Sequence, residues 1–300
     1  MAWRTIVISN PAILKIENSQ LLVIQDEKIP IPIEDIGILV LESPEVALTS
    51  ALLFRLAEND VMLLVCDARH LPCMAGLPFA GHSRLTGIQR LQLDTGLPFK
   101  KRCWQSIVRR KVANQAECLR LAGKEVGHSR LTTMLPEITS GDSTNVESRA
   151  AREHFRQLFG ETFTRGDEDT LNAALNYGYA VVRAAVVRAL AVHGFLLTQG
   201  LHHRSELNPF NLADDFIEPF RPLVDLCVAR HVSEDSEFVR EHRQMLVSLL
   251  HSQILMDDKR HSVTRAADIM ASSFISACKE NDPGLLKLPE LLPLQQHSYE

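Results

Sequence analysis

Residues 200–225 bring His202, His203, Asp214, Asp215 and Glu218 into one short segment, with Pro209 and Pro219 on either side of Glu218. Hard divalent cations prefer carboxylate oxygens, and an imidazole widens the choice towards Mn2+ and its neighbours. One more carboxylate from elsewhere in the chain completes a plausible metal site, and Glu147 is a suitable one. An ion held in this way polarises a phosphoryl oxygen and orients an attacking hydroxyl, so the chemistry to expect is attack at phosphorus.

Each of these residues also has a plainer account. Asn211 can cap a helical turn beginning at Leu212, and acids in that first turn suit the helix dipole, which explains Asp214 and Asp215 without a ligand. Glu218 follows Phe216-Ile217 and precedes Pro219, so its carboxylate sits among apolar neighbours and needs either Arg221 or a cation. Adjacent histidines seldom both coordinate one metal, and the spacing alone does not choose between His202 and His203. Glu147 opens a helical pattern over residues 145–160, capped near Thr144 or Asn145, with Ala150, Ala151, Phe155, Leu158 and Phe159 inward. Glu147, Ala150 and Ala151 share one face there, which either leaves room for a ligand or lets helices pack closely.

Two further polar patterns bear on phosphate. Asn172, Asn176, Tyr179 and Arg183 recur at four, three and four residues along an otherwise apolar helix. Buried polar groups must be paired, so this stripe is interhelical glue or a wall behind the site. The stretch Thr95–Ala116 contains no acid and carries Lys100, Lys101, Arg102, Arg109, Arg110 and Lys111. Arg102 and Arg109 lie seven apart and share a face, either solvated or set against phosphates. Walker, Gly-x-Gly-x-x-Gly, Gly-x-Ser-x-Gly and kinase signatures are missing.

The elements that must position these residues fall into two regions. Residues 4–41 hold four short apolar, β-branched runs (Thr5–Ile8, Leu21–Gln25, Ile29–Ile33 and Ile36–Leu41), which predict a small, mostly antiparallel sheet. Ala47–Asn59 reads as a helix and Val61–Cys66 as a strand, closing an N-terminal β-domain over 1–76. Two glycines and a proline over Gly76–Ser83 place a linker at 77–85. From Thr86 to about Lys279 the patterns are helical, with Trp104, Val108, Val112 and Ala116 at four-residue spacing. Residues 170–197 form a helix apolar round most of its circumference, the mark of a helix inside a bundle. The predicted class is α+β: a small β-sheet domain, then a larger all-α catalytic domain over 86–300. The last stretch, 283–300, combines three prolines with six leucines and predicts an extended tail that docks or moves.

The whole chain sets bounds. Its 300 residues suffice for two domains, and 45% apolar with 23% charged residues is ordinary for a soluble protein. No apolar run approaches the ~20 residues that span a bilayer, and the N-terminus reads as a strand, not a signal peptide. The six cysteines lie apart without a Cys-x-x-Cys pair, which points to reduced thiols in a cytoplasm. A net charge of −5 disfavours nucleic acid over the whole surface but allows a local basic groove.

Four motifs, Glu147-Ser-Arg-Ala-Ala-Arg, Leu175-Asn-Tyr-Gly-Tyr, Gly200-Leu-His-His and Asn211-Leu-Ala-Asp-Asp-Phe-Ile-Glu-Pro-Phe-Arg-Pro, resemble in order and spacing the universal CRISPR-associated integrase, the first Cas protein. Trp3-Arg-Thr-Ile-Val-Ile and Cys66-Asp-Ala-Arg-His-Leu-Pro resemble its type II branch. The resemblance runs over nearly the whole chain. It implies a β-domain used for homodimerisation, a helical catalytic domain, and a Mg2+- or Mn2+-dependent DNA endonuclease and integrase that inserts spacers into a CRISPR array. The family's glutamate falls on Glu147, its last acid on Glu218, and its histidine, fifteen residues before that acid, on His203. Asp215, Asn176 and Arg221 then take supporting positions, and Lys101, Arg102, Arg109, Arg110 and Arg183 become the DNA-contacting candidates. The implied partners are double-stranded DNA, a small ferredoxin-like dimer of the second Cas protein and the type II effector nuclease. The chain's acidic balance departs from a strongly DNA-binding family and places the binding on local patches and the assembled complex. Two rival readings remain: a small-molecule phosphohydrolase with the same ligands, and a non-enzymatic helical DNA-binding assembly protein.

Overall fold

The computed structural model describes residues 4–68, 70–78 and 83–297. In chain order the first region comprises β1 (Arg4–Ile8), β2 (Ala12–Glu17), β3 (Gln20–Ile24), β4 (Lys28–Pro32), β5 (Ile36–Leu41), β6 (Val46–Leu48), α1 (Ser50–Glu58), β7 (Met62–Cys66) and β8 (Pro72–Gly76). They build two four-stranded sheets, ordered β1-β5-β7-β8 and β4-β3-β2-β6. The expectation of one mostly antiparallel sheet is corrected: β1, β5 and β7 pair in parallel, and β6 adds in parallel to β2. The reason lies in burial. All six residues of β5 are buried, as parallel strands covered on both faces require.

Alternation along these strands feeds two cores. Leu39, Leu41 and Leu63 face β2, β3 and α1, whereas Ile38, Val40, Met62 and Leu64 join the core of the helical region. Helix α1 starts at Ser50, not Ala47, because Thr49 Oγ1 accepts from Leu52 N. The residues before it pair as a strand instead. Strands β2, β6 and β8 were not expected from the sequence.

The second region contains α2 (Leu85–Leu93), α3 (Leu97–Leu121), α4 (Glu125–Met134), α5 (Val146–Phe159), α6 (Thr170–Val192), α7 (Asn211–Ile217), α8 (Arg221–His231), α9 (Arg240–Ser248), β9 (Gln253–Met256), β10 (Lys259–Ser262) and α10 (Val263–Glu280). Of the predicted linker, residues 79–82 lie outside the described residues, as do Trp3 and Arg69 of the quoted motifs. The all-helical expectation is corrected by the β9–β10 hairpin. Its two-residue turn places Asp257 and Asp258 at φ 54° and 58°, a conformation that Asp tolerates and that matches the strand twist.

Helix α6 ends at Val192, short of residue 197, where Gly194 turns the chain at φ 86°. Among the described residues it is the one helix long and apolar enough to cross a bilayer, but 72% of its most apolar stretch is buried inside the protein. It packs against α7, α8, α9 and α10. The proline-leucine tail docks on its own chain. Leu286 and Leu291 are buried, and Asn114 of α3 both donates to Pro289 O (2.9 Å) and accepts from Leu291 N (3.1 Å).

Candidate metal centre

Glu147 sits in the first turn of α5. The expected cap at Thr144 or Asn145 is corrected: Asn145 has a left-handed backbone (φ 53°), and Asp142 caps from further back. Its two carboxylate oxygens accept Val146 N and Glu147 N, each at 2.9 Å. The backbone of Glu147 is thereby fixed while its side chain remains partly open to solvent.

Glu218 begins a 3-10 turn (Glu218–Phe220) wedged between α7 and α8. Asn114 Nδ2 holds this turn by donating to Pro219 O at 2.7 Å. Only 5% of Glu218 is exposed. Arg221 Nε donates to its Oε1 at 2.9 Å, so the Arg221 pairing considered from the sequence is present. A second cation completes the cluster. Lys111 Nζ stands 2.5 Å from Glu218 Oε2 and also pairs with Glu147 Oε1. The contact to Glu218 lacks the direction of a hydrogen bond, which leaves Oε2 a buried acceptor without a hydrogen-bond donor. Burial alone would raise the Glu218 pKa, but Lys111 and Arg221 hold it down at about 2. Burial works against the Lys111 charge too, and Glu218 and Glu147 outweigh it, raising the pKa.

Lys111 was expected on the basic, phosphate-facing side of α3, and the structure turns it inward. The signal was in the spacing: it falls seven residues after Trp104 and three after Val108, on the apolar face of the helix.

His203 is presented by a loop wrapped around Asp215. The fully buried Asp215 carboxylate accepts from Leu201 N (2.5 Å), His202 N (3.1 Å) and His203 N (3.1 Å), and from His203 Nδ1 (2.8 Å). Gly200 makes this wrap possible, because a Cβ there would lie 2.8 Å from Asp215 Oδ2. Trp104 stacks on His202 with ring centroids 4.3 Å apart and meets the edge of His203 at 5.9 Å. With Nδ1 committed to Asp215, Nε2 is the nitrogen left for a ligand. The bond to Asp215 raises the imidazole pKa against the effect of burial, and the negative charges of Asp215, Glu218 and Asp214 add to the rise.

Other expected residues are placed elsewhere. Asp214 does not cap α7 with its side chain; Arg183 grips both its oxygens (2.5 and 2.7 Å) and lies over the Phe210 ring. Arg183, a DNA-contact candidate from the sequence, is thus held in an internal pair with about a third of its side chain exposed. Arg110 pairs with Glu290 of the tail at 2.8 Å, an acid remote in sequence that the acid-free stretch concealed. Asn176 is exposed and bonded to Arg165, not to the site. Asn211 is the first residue of α7, not its cap; its amide donates to Thr198 O and Ser205 O. Lys101, Arg102 and Arg109 face solvent. Lys100 lines a cleft of about 710 Å3 with Gly200, His203, Arg204 and Asn208.

Among the described residues no three His, Cys, Asp or Glu side chains close on one point at metal-ligand spacing. Glu147, His203 and Glu218 do not form a finished cage, since the Lys111 ammonium stands between the carboxylates. The donor set nevertheless fits a divalent ion. Two carboxylates converge on one positive charge, and Asp215, one helical turn before Glu218, orients the imidazole of His203. Glu147 Oε1, Glu218 Oε2 and His203 Nε2 are the atoms that would hold it.

Sequence reasoning missed a buried set directly behind the site. His154 Nε2 lies 2.9 Å from Asp225 Oδ2, and the Tyr179 hydroxyl donates to Asp225 Oδ1. Arg221 stacks over the Tyr179 ring at 4.7 Å, linking this set to Glu218. The available signal was periodic: His154 follows Glu147 by seven residues, and Asp225 follows Glu218 by seven.

The sequence profile of CRISPR associated protein Cas1 matches residues 5–255. Over 305 aligned positions, covering all of both chains, the sequence is 46% identical to the CRISPR-associated endonuclease Cas1 of Neisseria meningitidis serogroup C (strain 8013). In structure the chain is similar to a casposase bound to integration product, with a TM-score of 0.74 and 15% identity over 94% of this chain and 92% of the other. It is also similar to part of a Cas6-RT-Cas1–Cas2 complex, with a TM-score of 0.73 and 19% identity over 96% of this chain and 36% of the other.

Proposed function

This chain belongs to the CRISPR-associated protein Cas1 family, and on that premise we infer that it is a metal-dependent DNA endonuclease and integrase, inserting DNA into a CRISPR array by attack of a 3′-hydroxyl on a phosphodiester. The observation that carries the reading is the convergence of Glu147 and Glu218 on one cation position, with the imidazole of His203 oriented by Asp215. A bound Mg2+ or Mn2+ supplies Lewis acidity at a non-bridging phosphoryl oxygen and neutralises charge that develops there. Glu147 and Glu218 supply the two negative charges of the site, and Asp215 fixes the ring of His203. Arg221 keeps Glu218 ionised and oriented through Oε1. In joining, the incoming 3′-oxygen forms the new bond to phosphorus, and the target strand's 3′-oxygen departs with the proton. In cutting, water takes the place of the hydroxyl.

Lys101, Arg102 and Arg109, exposed on α3, are the side chains available to track a duplex, and Lys100 continues that charge into the cleft beside His203. The solved complex in which a Cas1 chain is joined with Cas2 supports a small, ferredoxin-like Cas2 dimer as partner, and the casposase bound to integration product supports DNA. Homodimerisation through the β-region, a functional link to a type II effector nuclease and a cytoplasmic setting complete the proposal; the six free cysteines are consistent with that setting.

The test is incubation of the protein with branched and short duplex DNA in Mn2+ or in EDTA. Metal-dependent cutting or joining is the expected outcome. Binding without chemistry in Mn2+ would leave the assembly-protein reading standing instead.

A further inference from the structure

Lys111 has no role in the account above beyond its position, and that position is unusual. Its stem runs through the core of α3 with only 5% of the residue exposed, and its ammonium meets both Glu147 Oε1 and Glu218 Oε2. A long, flexible side chain that reaches the one point shared by two carboxylates does there what a bound cation does: it neutralises them and holds them together. With Arg221 on the other oxygen of Glu218, two positive charges balance two negative ones. A divalent ion approaching this cluster meets no net attraction while the ammonium stays.

We propose that Lys111 is a resident cation of the metal centre, holding Glu147 and Glu218 in register until a divalent ion displaces its ammonium. The inference rests on the metal-centre reading and adds to it a competition. Metal affinity is set below what the two carboxylates and His203 could reach alone, and the carboxylates stay placed without metal. Lysine suits such exchange because its charge sits at the end of a flexible four-carbon stem, so the head can withdraw while the stem remains packed.

The experiment is Mn2+ binding to the full-length protein, read by electron paramagnetic resonance of free against bound ion. The wild type is compared with Lys111→Met, which keeps the volume and removes the charge, and with Lys111→Arg. The expected result is that Lys111→Met binds Mn2+ about tenfold more tightly or better, while Lys111→Arg stays near the wild type or weaker. Equal or weaker binding by Lys111→Met overturns the resident-cation role and leaves the metal centre intact. Absence of binding by the wild type and both variants overturns the metal centre and the role of Lys111 together. A second measurement needs no variant: acetylation of Lys111 in the wild type, followed by mass spectrometry, in Mn2+ and in EDTA. Severalfold more labelling in Mn2+ is expected, and equal or lower labelling contradicts displacement.

Discussion

Two tiers of polar residues, seven positions apart along three segments of the chain, differ in almost every physical respect. In the outer tier Lys111 of α3, Glu147 of α5 and Glu218 of the 3-10 turn before α8 meet; in the inner tier Cys118 of α3, His154 of α5 and Asp225 of α8 follow them by seven residues each. The inner tier is closed, with His154 and Asp225 0% and 1% exposed. Both Asp225 oxygens receive hydrogen bonds, one from His154 and one from Tyr179. Burial first, and then Asp225, raises the pKa values of Tyr179 and Cys118 well above their usual range, so both stay protonated. The outer tier is built from like charges in pairs. Its carboxylates share the Lys111 ammonium, and Arg221 holds the other oxygen of Glu218. The inner network leaves His154 Nδ1 without a hydrogen bond but pairs both Asp225 oxygens, and such buried pairing rigidifies the fold, whereas carboxylates that share a charge specify a place for a cation.

Substitutions separate the tiers, and the largest effect belongs to the outer one. Glu218→Gln should reduce Mn2+-dependent strand joining to background while duplex binding, followed by electrophoretic mobility, persists. Retained joining would remove Glu218 from the chemistry. Asp225→Asn should do the reverse, lowering unfolding stability by about 2–4 kcal/mol in urea titrations because a buried partner is lost, with Mn2+ affinity unchanged. An equal loss of metal affinity in this variant would merge the two tiers into one.

Asp215→Asn should combine both effects, weakening Mn2+ binding about 10–100-fold by loosening His203 and lowering the urea midpoint as well, because an amide cannot accept from all four donors that the buried carboxylate holds. The smallest effect concerns Asp268 of α10, a carboxylate with too little positive charge around it. Burial raises its pKa against the opposing pull of Arg188, 3.6 Å away. Because the folded value lies above the unfolded one, its contribution to stability is fully present below the unfolded pKa and is lost as pH rises through the folded pKa. Asp268→Asn should flatten that decline in stability from acid to neutral pH. An unchanged pH profile would show that Asp268 is as well compensated as Asp225.

Much of this was legible in the sequence where the cause is local. The periodicity of α3 and α6, the apolar run of β5 and the residues Glu147, His203 and Glu218 follow from spacing and from motif resemblance. The misreadings have non-local causes. Lys111 reads as one more basic residue until its place on the apolar face is weighed against its charge. Arg183 and Arg110 look free because their acids, Asp214 and Glu290, lie 31 and 180 residues further along the chain. The parallel pairing of β1, β5 and β7 depends on helices covering the second face of the sheet, which no strand-length window records. The hairpin β9–β10 interrupts a helical stretch in a few residues, and its Asp257-Asp258 turn was the one local clue.

The most direct measurement is the anomalous difference map of a crystal of the full chain soaked in Mn2+. The account predicts a peak bounded by Glu147, His203 Nε2 and Glu218, with the Lys111 ammonium withdrawn from between the two carboxylates. A protein that joins DNA in Mn2+ yet shows no peak there, or binds the ion elsewhere, would contradict it.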